Sequence, residues 1–399
     1  MEEVLKMNLK EYIEKEYLLL PDYNNLNIVD LVKFLYGKYG VKYDKNKNTK
    51  KLEKIIPDNT HTVFILVDGM GSNLVSLLDD KSLLKKNKVD NMLTVSPSST
   101  GCVLTSIATA TYPSKHGMIG WYNYNREYDI DYYPLTFNDR KQNKSLKEYN
   151  ITAKDIFKVK SKINELNVKT NVLYPHYIFD SVYSNYVANN NIRNSYSDLE
   201  DAFNQIEKII SLNERTFTYL YIPDIDNLEH ENGVDSKIVL DKLKKIEKYL
   251  YKLLKNDTTI VITADHGQTN VSDDIIMDFE KYNKYFYAYP GIDFGMATYY
   301  VKKDLETEFV KQFNNDYKHK MYLFKTKEFI DNNVFGPNIN NDYLISNLGE
   351  YISLCNKNAQ FINSLEIDEY YGKIKGNHSG LSSDEMIIPL IIIDTNNLK

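Results

Sequence analysis

Three short stretches of the chain gather Asp and His at spacings that suit metal-assisted phosphoryl transfer. They are Asp226-x-x-x-His230, Asp265-His266-Gly267 and Gly376-Asn377-His378-Ser379-Gly380. Asp68-Gly69-Met70-Gly71 stands far upstream, and Thr100 lies between it and the others. Together they offer three carboxylates, three imidazoles and one hydroxyl, a donor set with which paired metal ions can clamp an in-line displacement at phosphorus. Asp226 and His230, four apart, share one face of a helical turn, and zinc accepts both side chains.

Each fragment alone has an ordinary explanation. Val95–Ala110 passes from a Ser/Pro segment into small residues, which predicts a helix starting at or near Thr100. A hydroxyl there is usually an N-cap, yet the same helix start favours an anion through its free N–H groups and dipole. Asp-Gly after a strand is a common turn pair, an isolated Asp-x-x-x-His matches by chance, and a lone loop His is ordinarily exposed. The conjunction weighs more. Three of the seven histidines fall in segments that also hold an apt Asp or a glycine-flanked loop, in a consistent order.

The elements that must position these residues are short apolar runs. Thr62–Val67, Thr170–Tyr174, Thr216–Ile222, Thr259–Thr263 and Met386–Ile393 read as strands buried on both faces. Helical patterns lie between them: Ala153–Leu166, and Asp235–Leu254 with Asp235 as its N-cap. Strands alternating with helices predict an α/β fold, a largely parallel sheet flanked by helices on both faces. Asp68, Asp226 and Asp265 each sit at or just past a strand end, where open α/β sheets bind ligands. Pro389 predicts an edge or irregular position for the last strand. Residues 1–60 read as a helical, charged lead-in, with a polar loop at Asp44–Lys54. Residues 61–277 and 368–399 read as the core, and 278–367 as an inserted smaller cap subdomain.

Composition narrows the class. Apolar residues make up 42% and charged residues 26% of the 399, as in a soluble globular protein. A net charge of −6 gives no evident nucleic-acid-binding patch. Arg126, Arg140, Arg193 and Arg215 are the only arginines, so a bidentate phosphate clamp has few candidates. Cys102 and Cys355 make neither a disulfide framework nor a thiolate metal site. The N-terminus lacks the apolar run of a signal peptide, and no stretch approaches the roughly 20 apolar residues that span a bilayer. The expected location is cytoplasmic.

The chain resembles the alkaline phosphatase superfamily, and within it the nucleotide pyrophosphatase/phosphodiesterase (type I phosphodiesterase) family. The resemblance runs through Phe64-Ile-Leu-Val-Asp68-Gly-Met-Gly71, Pro97-Ser-Ser-Thr100 and Tyr112-Pro113-Ser-Lys-His116-Gly117. It continues in Tyr221-Ile-Pro-Asp-Ile-Asp226-Asn-Leu-Glu-His230, Thr263-Ala-Asp265-His266-Gly267 and Asn377-His378-Ser-Gly380. It implies an alkaline-phosphatase-like core and two zinc ions, with manganese as the other metal such ligands accept. One ion would be held by Asp226, His230 and His378, the other by Asp68, Thr100, Asp265 and His266. It further implies that Thr100 is the nucleophile, forming a covalent phosphothreonine, with the Gly101 amide on a non-bridging oxygen. His116 reads as structural.

The chain departs from the family pattern around the substrate. Gly-Cys-Val-Leu follows Thr100 where many members have Phe-Pro-Asn-His, and Trp121, the one Trp, occupies the place of a phosphate-contacting Asn. Trp121 and nearby Asn123 are the substitute candidates. The expected activity is hydrolysis of phosphodiester or pyrophosphate bonds in a small, nucleotide-like substrate. The alternatives are a phosphomonoesterase on the same core and a non-catalytic binding protein on a hydrolase scaffold.

Overall fold

The structure is a computed structural model, and it describes residues 7–338, 342–366 and 370–397. A seven-stranded sheet forms its frame. The strands are β1 (His61–Val67), β2 (Lys88–Leu93), β3 (Lys169–Pro175), β4 (Arg193–Tyr196), β5 (Thr216–Ile222), β6 (Thr258–Thr263) and β7 (Ile387–Asp394). Their order is β2-β7-β6-β1-β5-β3-β4. β6, β1, β5, β3 and β4 run parallel, and β7 is antiparallel to both its neighbours. Every residue of β1, β5 and β6 is buried. Strands covered on both faces favour apolar side chains at successive positions, which is why these read as short runs of apolar residues and threonine.

Helices close over the sheet. One apolar core joins it to α1 (Ile28–Gly37), α2 (Thr100–Thr109) and α4 (Lys237–Leu250), while α3 (Asp224–Asn232) follows β5 directly. α1 begins at Asn27, whose side chain accepts from the Asp30 N–H, and it buries Ile28, Val29, Leu31, Val32 and Leu35 completely. Much of the N-terminal stretch is thus core rather than a charged surface arm.

Several local expectations are corrected. Asp44–Lys54 is no loop: Lys47–Ile55 is helical, started by a reciprocal pair between Asn46 and Thr49 and anchored by buried Leu52. Its apolar pattern is too sparse to show in periodicity. Ala153–Leu166 is helical only at Ala153–Ile156 and in a turn at Ile163–Glu165. Between them Lys162 donates its N–H to Ala108 O instead. α4 starts at Ser236, not Asp235, whose carboxylate accepts from the Asn270 amide. β7 lies inside the sheet rather than at its edge, but Pro389 faces only β2, because pairing with β6 begins at Ile391 after a register shift. That is the irregular position a missing N–H requires.

A second layer carries its own core. Gly291–Ile292, Met296–Tyr299, Tyr351–Cys355 and Met321–Lys325 form a four-stranded antiparallel sheet. With the helix Glu306–Tyr317 it encloses aromatic side chains, among them Tyr282, Tyr299, Phe309 and Phe313. Asp273–Met277 pairs with Ala359–Asn363 at its base, so this layer takes in residues upstream of Asp278. Its expected far boundary, between 367 and 368, lies outside the described residues. No helix among the described residues is long and apolar enough to cross a membrane.

Candidate active site

Three adjacent parallel strands, β6-β1-β5, deliver three carboxylates to one crevice. Asp68 continues β1, donating its N–H to Ile222 O at the end of β5. Asp226 sits in the first turn of α3 and donates its N–H to Asp68 O at 3.0 Å. Asp265 follows β6, and its Oδ1 accepts from the N–H groups of Gly69 (3.2 Å) and His266 (2.9 Å). Gly69 turns at φ +79°, and a Cβ there would come within 2.8 Å of Asp226 Cα, so glycine alone lets these backbones meet.

The imidazoles enter from separate segments, each fixed by its Nδ1. His230 donates to Gly376 O at 2.8 Å, His378 to Ser98 O at 2.9 Å and His266 to Gly267 O at 3.2 Å. A carbonyl can only accept, so Nδ1 carries a proton and Nε2 is the atom turned to the crevice. Nε2 of His230 is 3.4 Å, and that of His378 3.7 Å, from Asp226 Oδ1. His266 Nε2 is 3.4 Å from Asp265 Oδ2 and 3.6 Å from Asp68 Oδ1. Thr100, first residue of α2, places Oγ1 3.1 Å from His266 Nε2 and donates to it. The rings of His266 and His378 stack at 3.8 Å.

Charge in the crevice is poorly compensated. Burial, then Asp265 and Asp226, push the Asp68 carboxyl well above its usual range, against a bond from the Tyr221 hydroxyl. Burial also raises Asp265. Asp226 goes the other way, because His230 and its fellow imidazoles outweigh the burial. Burial lowers His230, but Asp226 reverses this and carries it to about 9. His266 and His378 fall to about 4, chiefly through burial. Asp68 Oδ1 and Asp265 Oδ2 are buried and receive no hydrogen bond.

These features fit divalent cations. Two buried carboxylate oxygens without donors, beside Nε2 lone pairs, are an arrangement that a cation would satisfy. Ligand atoms of Asp68, Asp265 and His266 lie within 4.8 Å of one another, as do those of Asp226, His266 and His378. His266 therefore stands at the junction of the two groups, while His230 flanks the second through Asp226.

A cavity of about 510 Å³ opens beside Thr100, with Trp121, Leu104, Leu135, Tyr177, Phe294 and Tyr370 in its largely apolar wall. Trp121 therefore reaches the site. Asn123 does not line the cavity, because its amide donates to Gly120 O at 2.7 Å and accepts from the Ile119 N–H. Gly101 is the second residue of α2, where a helix leaves its N–H unpaired. His116 is buried away from the crevice, bonded to Ser106 Oγ and the Met118 N–H.

Sequence reasoning missed four polar neighbours. Tyr221 donates to Asp68 Oδ2 from inside β5. Gln268 Nε2 donates to Asp226 Oδ1 at 2.6 Å. Asp293, from the second layer, lines the cavity. Glu229 is fully buried with neither oxygen partnered, and burial, Asp226 and Asp265 hold its carboxyl far above the normal range. The alternation of β5 and the spacing from Asp226 were signals for Tyr221 and Glu229; nothing in the sequence marks Asp293.

Comparisons with known proteins bear on the family and the fold. Residues 62–357 match a family model described as type I phosphodiesterase / nucleotide pyrophosphatase. No curated protein sequence matches the chain. Among solved structures, human ectonucleotide pyrophosphatase/phosphodiesterase 5 is 16% identical, with 83% of this chain and 87% of that one covered at a TM-score of 0.63. The murine protein, also solved as an inactive variant with AMP, is 14% identical over 82% and 87% at 0.62. Phosphonoacetate hydrolase from Sinorhizobium meliloti 1021, in complex with phosphonoformate, is 14% identical over 84% and 91% at 0.62.

Proposed function

We propose a function from one premise: the chain belongs to the type I phosphodiesterase / nucleotide pyrophosphatase family. Its members hydrolyse phosphoester bonds. The finer reading is a two-metal hydrolase that cleaves phosphodiester or pyrophosphate bonds of a nucleotide-like substrate through Thr100. The observation that carries it is the Thr100 hydroxyl, set at a helix start and 3.1 Å from His266 Nε2, the same atom that lies 3.4 Å from Asp265 Oδ2 and 3.6 Å from Asp68 Oδ1, oxygens that receive no hydrogen bond.

Asp226, His230 and His378 would hold one zinc and Asp68, Thr100, Asp265 and His266 the other, with manganese an acceptable replacement. Bound there, the ions supply Lewis acidity for charge on the entering and leaving oxygens. The protein's own groups do the rest. Thr100 Oγ1 forms the new bond to phosphorus as the leaving oxygen departs, and water then cleaves the phosphothreonine and restores the hydroxyl. N–H groups at the start of α2, that of Gly101 among them, receive a non-bridging oxygen. Trp121 and Tyr177 offer flat faces to a base.

The cavity favours a diester. No Lys or Arg lines it among the described residues, while Asp293 and Glu231 do. A monoester would bring a second negative charge with no side-chain cation to meet it. The protein, loaded with zinc or manganese, should turn over a p-nitrophenyl diester and a dinucleotide faster than p-nitrophenyl phosphate. Faster monoester turnover would overturn the diester reading, and undiminished turnover in Thr100→Ala would overturn the nucleophile. Buried, free Cys102 and Cys355 suit a reducing compartment, in keeping with the cytoplasmic expectation; cell fractionation tests this.

A further inference from the structure

The second layer sends one carboxylate to the segment that presents Thr100. Asp293 begins the turn between Gly291–Ile292 and Met296–Tyr299 and is 4% exposed. Its Oδ2 accepts from Ser99 Oγ at 2.6 Å and its Oδ1 from the Phe294 N–H at 3.0 Å, so both oxygens are fixed. Ser99 is the N-cap residue of α2, yet its hydroxyl makes no capping bond. A serine in that place ordinarily satisfies an N–H of the first turn. Here Asp293 draws the hydroxyl away, and the helix-start N–H groups keep their freedom.

The neighbouring residue is held from the other side. Ser98 O accepts from His378 Nδ1, and Ser98 Oγ donates to Gly380 O at 3.1 Å. The turn that carries Asp293 is itself pinned. Ile292 and Tyr122 exchange backbone hydrogen bonds at 2.8 and 2.9 Å, and the Gly295 N–H donates to Ser379 Oγ at 2.9 Å. Gly120 permits this approach, since a Cβ there would lie 2.5 Å from Ile292 O. Ile292 has φ +79°, a conformation a β-branched residue rarely adopts. Such strain persists where surrounding contacts over-determine it, and it points to a function.

We propose that Asp293 is a positioning residue for the nucleophile. By holding Ser99 Oγ it keeps Thr100 aimed into the crevice and leaves the α2 N–H groups open to phosphoryl oxygens. This rests on Thr100 being the nucleophile.

The test uses the metal-loaded enzyme and a diester substrate. Asp293→Ala and Ser99→Ala should each lower kcat by about 10–100-fold with KM within about twofold, the scale of a nucleophile misplaced by a fraction of an ångström. Asp293→Asn, whose amide oxygen can keep the Phe294 N–H while its NH2 donates to Ser99 Oγ, still holds that hydroxyl and should recover most of the rate. Combining Asp293→Ala with Ser99→Ala should cost no more than the worse single change, because the two act as one unit. Metal content should match that of the unaltered enzyme. Full kcat in either Ala variant overturns the proposal. So does a rise in KM alone, which would mark a substrate contact, or lost metal, which would mark a ligand. Asp293→Asn as slow as Asp293→Ala, or losses that multiply, overturn it too. If Asp293→Ala does not fold, Ser99→Ala decides alone. Thr100→Ala separates the two readings: if it is active, the nucleophile assignment fails, and if it is dead while Asp293→Ala is fully active, only the positioning role fails.

Discussion

Asp30 and the Asp68–Asp265 pair are the same residue type, buried to the same degree, and the protein treats them in opposite ways. Asp30 is 0% exposed, Asp68 2% and Asp265 0%. The Asp30 carboxylate accepts from the side-chain amides of Asn27 (2.8 Å), Asn46 (2.7 Å) and Asn48 (2.7 Å). Burial still raises its pKa, but those amides oppose the rise. In the crevice Asp68 Oδ1 and Asp265 Oδ2 receive nothing, and the two carboxyls repel each other. A buried acid that serves the fold is surrounded by donors. Asp68 and Asp265 each keep one oxygen without a donor beside the His266 imidazole, and that sets them apart from Asp30 more sharply than burial does.

The strongest way to break the contrast is to remove what the crevice lacks. Chelation, and separately Thr100→Ala, should each cut diester turnover at least about 10³-fold, roughly 4 kcal/mol of barrier. Restored zinc should rescue only the chelated enzyme. Activity that survives chelation would make the unpartnered oxygens meaningless. Next in size, Asp30→Ala should cost about 3 kcal/mol of stability by stranding three amides, read as a lower denaturation midpoint. Its kcat per folded molecule should not change, and a large loss there would blur the line between the two sites.

A smaller effect runs in the opposite direction. Asp68→Asn should raise the stability of the metal-free protein by about 1–2 kcal/mol, since the new amide is neutral without having to take up a proton and can donate to Asp265. The same change should weaken the thermal shift produced by added zinc. A destabilised metal-free Asp68→Asn would show that the crevice was satisfied after all.

The last effect is confined to acid and concerns a buried polar group of the Asp30 kind. His116 is satisfied by Ser106 and the Met118 N–H, and burial lowers its pKa to about 3. The unfolded imidazole titrates near the usual 6.5, so the unfolded state binds the extra proton between about pH 6.5 and 3. Stability is therefore full above that window and is lost as pH falls through it. Removing the group with His116→Asn should flatten the acid limb of a stability–pH curve by up to ~1.4 kcal/mol per pH unit. An unchanged slope would remove His116 from the acid response.

Legibility from sequence followed the same divide. Asp68 and Asp265 were visible because each closes an apolar run, and strand ends of a parallel sheet converge whatever the intervening loops do. Asp226 and His230 were visible because four residues make a turn of helix. The Asn cluster around Asp30 was not visible, since its members come from α1 and from a helix that sparse apolar content disguised as a loop. Asp293 was hidden for a different reason: it lies 194 positions from Ser99, and only the docking of one layer on another joins them. Trp121 and Asn123 show the limit of neighbourhood. Two residues apart, one faces the cavity and the other braces the loop.

The place of β7 sets an order of events. It is the last of the seven strands in sequence, yet it lies between β2 and β6, and the segment leading to it carries His378. A nascent chain that has made everything through Gly267 holds Thr100, Asp265 and His266 but has an unfilled slot beside β6 and one imidazole too few. Sheet closure and completion of the donor set thus become a single step, taken only once β7 has been made. Ribosome-stalled chains of increasing length should gain protease resistance and zinc retention at the same length, and zinc held firmly before β7 emerges would separate the two.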